Sequence, residues 1–251
     1  MKQLLPIVCG VVALSGCAVT LAPTTPYIPL IEERGQAEVK LSSSITARQL
    51  ELQLGYQLTD RVVLHASGLS LARNKRGTRF GSADLGLGYY FPLRDERWRL
   101  GTHAGLAYGG GASGGEFCFD CNGPFSTYES RYTYVYLQPT VVLRDGTRSW
   151  GFGLRVGQAY FHRLDEEQSE LLPGGTSTQV FDRSGRTFTF LQPTFQFSRR
   201  LRHGIHLSSS VGVQASVSKR SSLDLLNPFI AQANLHILIG PVGKPKNAPQ
   251  P

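Results

Sequence analysis

Two cysteines with a short spacing, Cys118 and Cys121, follow the longest glycine-rich stretch of the chain, Gly109–Gly115. This spacing suits a disulfide, a metal site or a thiol redox centre. Outside the cytoplasm such a pair usually forms a disulfide that closes a loop. A metal site needs further ligands, and the chain has no second cysteine pair. A redox motif needs a helix after its first cysteine, which a glycine-rich loop does not provide. We therefore expect a Cys118–Cys121 disulfide.

Another cysteine, Cys17, ends the leader of the chain. Lys2 precedes an apolar run over 4–14, and Leu14-Ser15-Gly16-Cys17 follows. A positive start, a short apolar core and small residues are typical of a secretion signal, and the run is too short to span a bilayer. The last four residues resemble a bacterial lipobox, which directs diacylglycerol to the cysteine thiol and cleavage before it. We expect removal of residues 1–16 and lipidation of Cys17, with palmitate among the acyl chains. The alternative is an ordinary signal peptide.

The elements that position these residues are strands, because apolar and polar residues alternate with a period of two between Gly35 and Gly240. We count about ten strands. The run at 62–72 changes phase near Ala66, which predicts a β-bulge. The connections alternate in length. The short turns are 59–61, 94–96, 145–147 and 201–203, and the long loops are about 73–79, 110–130, 164–186 and 218–227. This alternation is typical of outer-membrane barrels.

The polar face of the strands is mostly Gly, Ser, Thr and Gln with few charges, as a tight barrel lumen requires. A soluble lipocalin-like barrel is the alternative, but its outer face should carry many Lys and Glu. We predict an all-β, antiparallel, up-and-down transmembrane barrel over residues 35–240, with a plugged or narrow lumen. Its arginines are expected to pair with its acids. The predicted polar lumen residues are Glu51, Asp84, Arg99, His103 and Arg155.

The residues outside the barrel are expected to lie on the periplasmic side. Residues 17–34 contain prolines that favour an extended tether from the lipidated cysteine, and 241–251 form a polar tail. Tyr27–Gly35, shortly after a lipidated cysteine, resembles the start of β-barrel lipoproteins from Bacteroidota-type bacteria. That resemblance implies an outer-membrane lipoprotein of a group with no agreed activity. We expect both termini in the periplasm, because an even number of strands brings the chain back to its starting side.

The net charge is +8, which for an exported chain favours anionic lipid or lipopolysaccharide over nucleic acid. One loop concentrates this charge and is either solvated or a phosphate-binding surface. Its basic residues are Arg73, Lys75, Arg76 and Arg79. At the outer rim, His162 precedes Asp165 and Glu166. Outer-membrane proteases of the omptin type place Asp and His at that rim, but the similarity is limited to strand number and location.

The sequence Leu-Gln-Pro-Thr occurs twice, at 137–140 and at 191–194. Proline cannot donate to a strand ladder, so the repeat predicts either a matched kink or a paired functional site. For the chain as a whole we expect a non-enzymatic, lipid-anchored outer-membrane barrel without cofactor or metal. Its loops would bind a surface ligand, or it would be a subunit of an envelope complex. The alternatives are a narrow channel for small polar solutes and a barrel enzyme acting on lipid or peptide.

Overall fold

The computed structural model describes residues 21–31, 33–44, 49–71, 78–91, 93, 95, 97–114, 125–172, 175–217 and 229–240. Its regular elements are twelve β-strands. They are β1 Ala37–Ser44, β2 Gln49–Gln57, β3 Val62–Leu71, β4 Arg79–Phe91, β5 Trp98–Gly114, β6 Phe125–Asp145, β7 Arg148–Leu172, β8 Gly175–Asp182, β9 Thr187–Arg202, β10 Ile205–Val213, β11 Ala215–Ser216 and β12 Phe229–Ile239. Among these residues no helix is long and apolar enough to cross a membrane.

The strands close into an antiparallel barrel. β1 to β7 pair in sequence order, β7 then pairs with β9, and β9 with β10. β12 joins β10 to β1, where Ala37 lies opposite Ile239. Ten of the described strands therefore form the closed wall, while β8 and β11 extend it at one end. The predicted fold class and strand number are confirmed.

The barrel is polar inside and apolar outside. On β2, Leu50, Leu52 and Leu54 are exposed, whereas Glu51 and Gln53 between them are buried. Trp98 and Trp150 also face outward, each at the start of its strand. A soluble barrel would have the opposite arrangement, because apolar surface is costly in water. An apolar outer band is the arrangement that a bilayer requires of a barrel.

The bulge predicted near Ala66 is absent from the structure. β3 pairs with β2 and with β4 in unbroken register from one end to the other. Val63, His65, Ser67 and Leu69 all face inward. The apparent change of phase arises because Val63 and Leu69 are apolar residues on the lumen face, where each meets another apolar group.

The three longest strands clearly exceed the length that a membrane requires. β5, β6 and β7 have 17, 21 and 25 residues, against roughly 9–11 for a tilted transmembrane strand. The excess lies at the end that carries the long loops, which we call the long-loop end; the other is the short-turn end. There 125–131 of β6, 164–172 of β7 and β8 form a projecting sheet, here called the tongue.

Candidate functional site

The lumen is filled by the protein's own N-terminal residues. Residues 21–31, here called the luminal segment, are all buried. The sequence predicted a periplasmic tether for this stretch, and for residues 21–31 that prediction was wrong. The physical reason is that a polar lumen with unpaired donors and acceptors is better satisfied by a peptide backbone than by a void.

The luminal segment crosses the barrel from end to end. At the short-turn end, Arg144 and Arg99 donate hydrogen bonds to the carbonyl oxygen of Ile31. At the long-loop end, Ser82 donates to the carbonyl oxygen of Ala22 at 2.9 Å. The first described residue, Leu21, packs in a cluster with aromatic residues of the upper barrel, among them Tyr132 and Phe161.

An arginine in the wall binds the middle of the luminal segment. The Arg155 guanidinium donates to the carbonyl oxygen of Thr24 at 2.9 Å and to its hydroxyl at 3.0 Å. It also lies 3.6 Å from an Asp84 carboxylate oxygen and stacks over the Tyr136 ring. The Thr24 hydroxyl in turn donates to Asp84. Arg155 and Asp84 are fully buried side chains. Because Thr24 is hydrogen-bonded to both of them, the luminal segment is part of this charged cluster.

Two glutamates bind the backbone of the luminal segment. Glu51 accepts hydrogen bonds from the amide and the hydroxyl of Thr25, at 2.8 and 2.6 Å. Glu38 accepts from the amide of Leu30 at 3.0 Å and from the Tyr27 hydroxyl at 2.8 Å. A buried carboxylate that accepts two such bonds is well compensated for its loss of water.

Four wall glutamines donate side-chain hydrogen bonds to carbonyl oxygens of the luminal segment. The pairs are Gln192 with Thr24 at 3.4 Å, Gln53 with Thr25 at 2.7 Å, Gln138 with Tyr27 at 2.7 Å and Gln196 with Ile28 at 3.4 Å. Gln138 and Gln192 are the glutamines of the repeated Leu-Gln-Pro-Thr, on the two strands that flank β7. Both copies of the repeat therefore contact the same segment.

The wall is also shaped to fit the segment. A side chain at Gly55 would overlap Tyr27, and one at Gly151 would overlap Ile28. Val63 and Tyr90 pack with Tyr27 and Ile31. These features together make the lumen a built binding site for an extended peptide, and residues 21–31 of the same chain occupy it.

The structure places all five predicted lumen residues on the lumen face, with Glu51, Asp84, His103 and Arg155 buried. Arg99 is partly buried, donates to Gln57 at 2.9 Å and stacks over Tyr90. Arg79 is exposed on β4. The other predicted site residues lie outside the described part of the chain. They are Cys17, Arg73, Lys75, Arg76, Cys118 and Cys121.

The rim residues of β7 do not form a joint site. His162 is exposed and lies 2.7 Å from the Thr133 hydroxyl. Asp165 pairs with Arg163, and its hydrogen bond raises the pKa of that guanidinium above its ordinary value. Glu166 instead points inward, accepting from the Tyr128 hydroxyl at 2.9 Å. The three residues thus have separate partners, and among the described residues no carboxylate orients His162.

A hydrogen-bonded relay that sequence reasoning missed lies near the short-turn end. The Ser208 hydroxyl is 2.7 Å from His236 Nε2, and His236 Nδ1 is 2.6 Å from Glu38. Serine, histidine and an acid in this order can activate a hydroxyl for acyl transfer. Here all three are buried, and Glu38 is bound to the luminal segment. The residues belong to β10, β12 and β1, so no sequence spacing indicated their meeting.

The outer-membrane protease OmpT from Escherichia coli has a similar structure, with a TM-score of 0.51 at 11% identity over 81% of this chain and 93% of that chain. The fold is that of the outer-membrane β-barrels. More distant barrels of this fold include the N-terminal domain of Pseudomonas aeruginosa OprF (TM-score 0.34, 12% identity, 82% of this chain and 98% of that chain). Another is outer membrane phospholipase A from Escherichia coli (TM-score 0.27, 11% identity, 83% and 92%).

No protein-family model and no curated protein matches the chain. At these identities the likeness of the outer-membrane barrels extends to the fold alone.

Proposed function

We propose that this chain is a non-enzymatic outer-membrane lipoprotein whose barrel is closed by the luminal segment and whose long-loop end binds a partner. The observation that carries the proposal is the luminal segment itself. It contributes eleven buried residues, and hydrogen bonds from strands all round the wall hold it in place. A barrel closed in this way acts through its surface.

The channel alternative makes a different prediction about conductance. Solutes would pass only after the luminal segment had left the barrel. Its departure would leave Arg155, Asp84 and two glutamates in the lumen without their hydrogen-bond partners from the segment. We expect the purified mature protein to show no stable conductance in planar bilayers. A variant lacking residues 18–31 is expected to conduct. Steady conductance by the intact protein at the same protein density would overturn the proposal in favour of a channel.

The tongue supports a binding role. β8 pairs with β7 along one edge, and none of the described strands pairs with its other edge. Its Val180 side chain is 68% exposed. A free strand edge can accept a strand from another protein, with main-chain hydrogen bonds providing affinity. This arrangement suits a protein partner or a neighbouring subunit of an envelope assembly.

Crosslinking tests the partner directly. The mature protein would be crosslinked in intact cells, beside a variant in which 165–182 are replaced by a short glycine-containing turn. A variant altered only in the short turn 145–147 is the control. We expect a discrete crosslinked product that the tongue variant loses and the short-turn variant keeps. A protein recovered alone in all three cases would contradict the binding role.

Anionic lipid is the second partner that we propose. At the long-loop end a groove of about 570 Å³ has Arg79, Arg131, Glu129 and several glycines among its lining residues. Two exposed arginines beside a groove suit phosphate groups of lipopolysaccharide. We expect the variant with both arginines changed to alanine to retain less co-purified lipopolysaccharide than the wild type, measured as phosphate per protein.

An enzyme is the second candidate function, and the Ser208–His236–Glu38 relay favours it. In the non-enzymatic proposal this relay holds the wall and the luminal segment together, because Tyr27 and Leu30 occupy Glu38. A fluorophosphonate probe, which reacts with activated serines, separates the two. We expect no labelling of the intact protein in detergent or in vesicles. Labelling that disappears in Ser208→Ala would establish the enzyme instead.

A further inference from the structure

We infer that Cys17 is delivered through the barrel to the long-loop end, so that its lipid lies in the outer leaflet at the cell surface. This inference rests on the proposed outer-membrane location and on lipidation of Cys17. It reverses the expectation that the lipid holds the barrel at its periplasmic end. The lipid and the C-terminal tail would then lie on opposite faces of the membrane.

The luminal segment runs from Ala22 at the long-loop end to Ile31 at the short-turn end. Its residue nearest β1, Ile31, is held by Arg144, which is followed by the short turn 146–147 between β6 and β7. Its other end is held by Ser82 and Tyr132, which both bond to Ala22. Ser82 is the fourth residue of β4, just after the connection from β3. Moving from Ile31 back towards the N-terminus therefore means moving towards the long loops.

Little chain separates the luminal segment from Cys17. Only residues 18–20 separate Cys17 from Leu21. Four residue steps span at most about 14 Å when fully extended. The apolar band of a bacterial barrel is about 25 Å tall. Starting from Leu21 at the long-loop end, the chain is too short for Cys17 to reach the leaflet on the short-turn side.

The luminal segment cannot shift along the lumen to supply more length. Thr24 is bound to Arg155, Thr25 is bound to Glu51, and Tyr27 and Leu30 are both bound to Glu38. A shift by one residue would break all of these bonds together. The wall also has a glycine opposite Tyr27 and another opposite Ile28, so bulky residues at other positions would meet the wall. The register of the segment is therefore fixed.

The C-terminal tail marks the short-turn side of the barrel and serves as an internal reference for the labelling experiment. The last strand ends at Ile239, which lies opposite Ala37 at the short-turn end. The tail beyond it contains Lys244 and Lys246, while Lys75 belongs to the connection between β3 and β4. In the usual orientation of such barrels, short turns face the periplasm. Amines in the tail and in the long loop therefore report the two sides.

Surface labelling tests the inference in intact cells that express the full chain. Thr20→Lys introduces an amine three residues after Cys17, and a membrane-impermeant amine reagent is then added outside. Mass spectrometry reads labelling at position 20, at Lys75 and at Lys244. We expect position 20 to be labelled together with Lys75, and Lys244 only after the outer membrane is permeabilised. If position 20, like Lys244, is labelled only after the outer membrane is permeabilised, the inference is overturned.

A second variant keeps the inference testable if Thr20→Lys disturbs export. A protease site inserted after Thr20 is expected to be cut from outside intact cells, releasing a small lipopeptide, whereas the same site after Gly240 is protected. Metabolic labelling with an alkyne palmitate must be present in the wild type and lost in Cys17→Ala; its absence from the wild type would also overturn the inference. None of these results depends on whether the barrel conducts or has a partner, so failure here is distinguishable from failure of the proposed function.

Discussion

The Arg155 guanidinium donates a hydrogen bond of 2.9 Å to the carbonyl oxygen of Thr24, although the two residues are 131 positions apart in the chain. Arg155 also faces Asp84 at 3.6 Å in the same buried cluster. A wall charge, its counter-charge and the luminal segment thus form one unit. The stability of the barrel and the closure of its lumen are therefore coupled.

Replacing Arg155 with alanine tests this coupling. Arg155→Ala leaves Asp84 buried without its cation and removes three bonds to the luminal segment, two to Thr24 and one to Thr25. Breaking a buried pair costs about 3–5 kcal/mol, so we expect the free energy of unfolding to fall by that order. Urea unfolding in lipid vesicles, followed by tryptophan fluorescence, measures it.

The control for that experiment is Arg163→Ala. Arg163 pairs with Glu129 and Asp165, but its side chain is 46% exposed. Solvent screens an exposed ion pair, so this variant should unfold close to the wild type. Equal losses in the two variants would show that Arg155 does not have the anchoring role described here.

Two glycines on one strand test the fit of the luminal segment. A Cβ at Gly151 would overlap the Ile28 side chain, whereas a Cβ at Gly153 would make ordinary contacts at 3.5 Å with Ile28 and Pro26. We expect Gly151→Ala to destabilise the barrel by about 1–3 kcal/mol through overpacking and to produce transient conductance as the segment shifts. Gly153→Ala should show no conductance in planar bilayers. Matching behaviour of the two variants would mean that the segment does not contact this wall.

The two glutamines of the repeated Leu-Gln-Pro-Thr are expected to contribute unequally to the free energy of unfolding. Gln138 donates to Tyr27 at 2.7 Å and accepts from Arg155 at 3.2 Å, while Gln192 makes one bond of 3.4 Å to Thr24. An unpaired buried carbonyl costs about 1–3 kcal/mol. Gln138→Leu should therefore lower the free energy of unfolding by more than Gln192→Leu, again by urea titration. The reverse order would refute the role assigned to the first repeat.

The apolar outer face predicts a position-dependent cost for charge. Leu106, 54% exposed, lies in the middle of the wall opposite Leu85. Arginine at the midplane of a barrel costs about 2–4 kcal/mol, so Leu106→Arg should lower the yield of heat-modifiable, folded protein in vesicles. Val180→Arg, on the tongue, should fold normally even though Val180 is more exposed, at 68%. A normal yield for both would argue against a membrane around Leu106.

The alternation of residues was enough to predict the barrel and its polar interior. On β2 each Leu faces outward and each Gln or Glu inward, because a strand side chain has only two faces to choose from. The same rule misled at β3. Val63 and Leu69 suggested a change of phase, but they are lumen residues that pack on the luminal segment, whose position the alternation does not predict.

By itself the sequence determined the number of wall strands, the sidedness of the wall and the polar character of the lumen, since these depend on local period and turn length. It did not determine the tongue, where it predicted loops at about 110–130 and 164–186. It did not determine what fills the lumen. The groups that bind Thr24, Thr25 and Tyr27 come from strands far apart in the chain. They converge only when β12 pairs with β1 and the wall closes. Tertiary structure alone therefore decided that residues 21–31 lie inside the barrel, because their binding site exists only after closure.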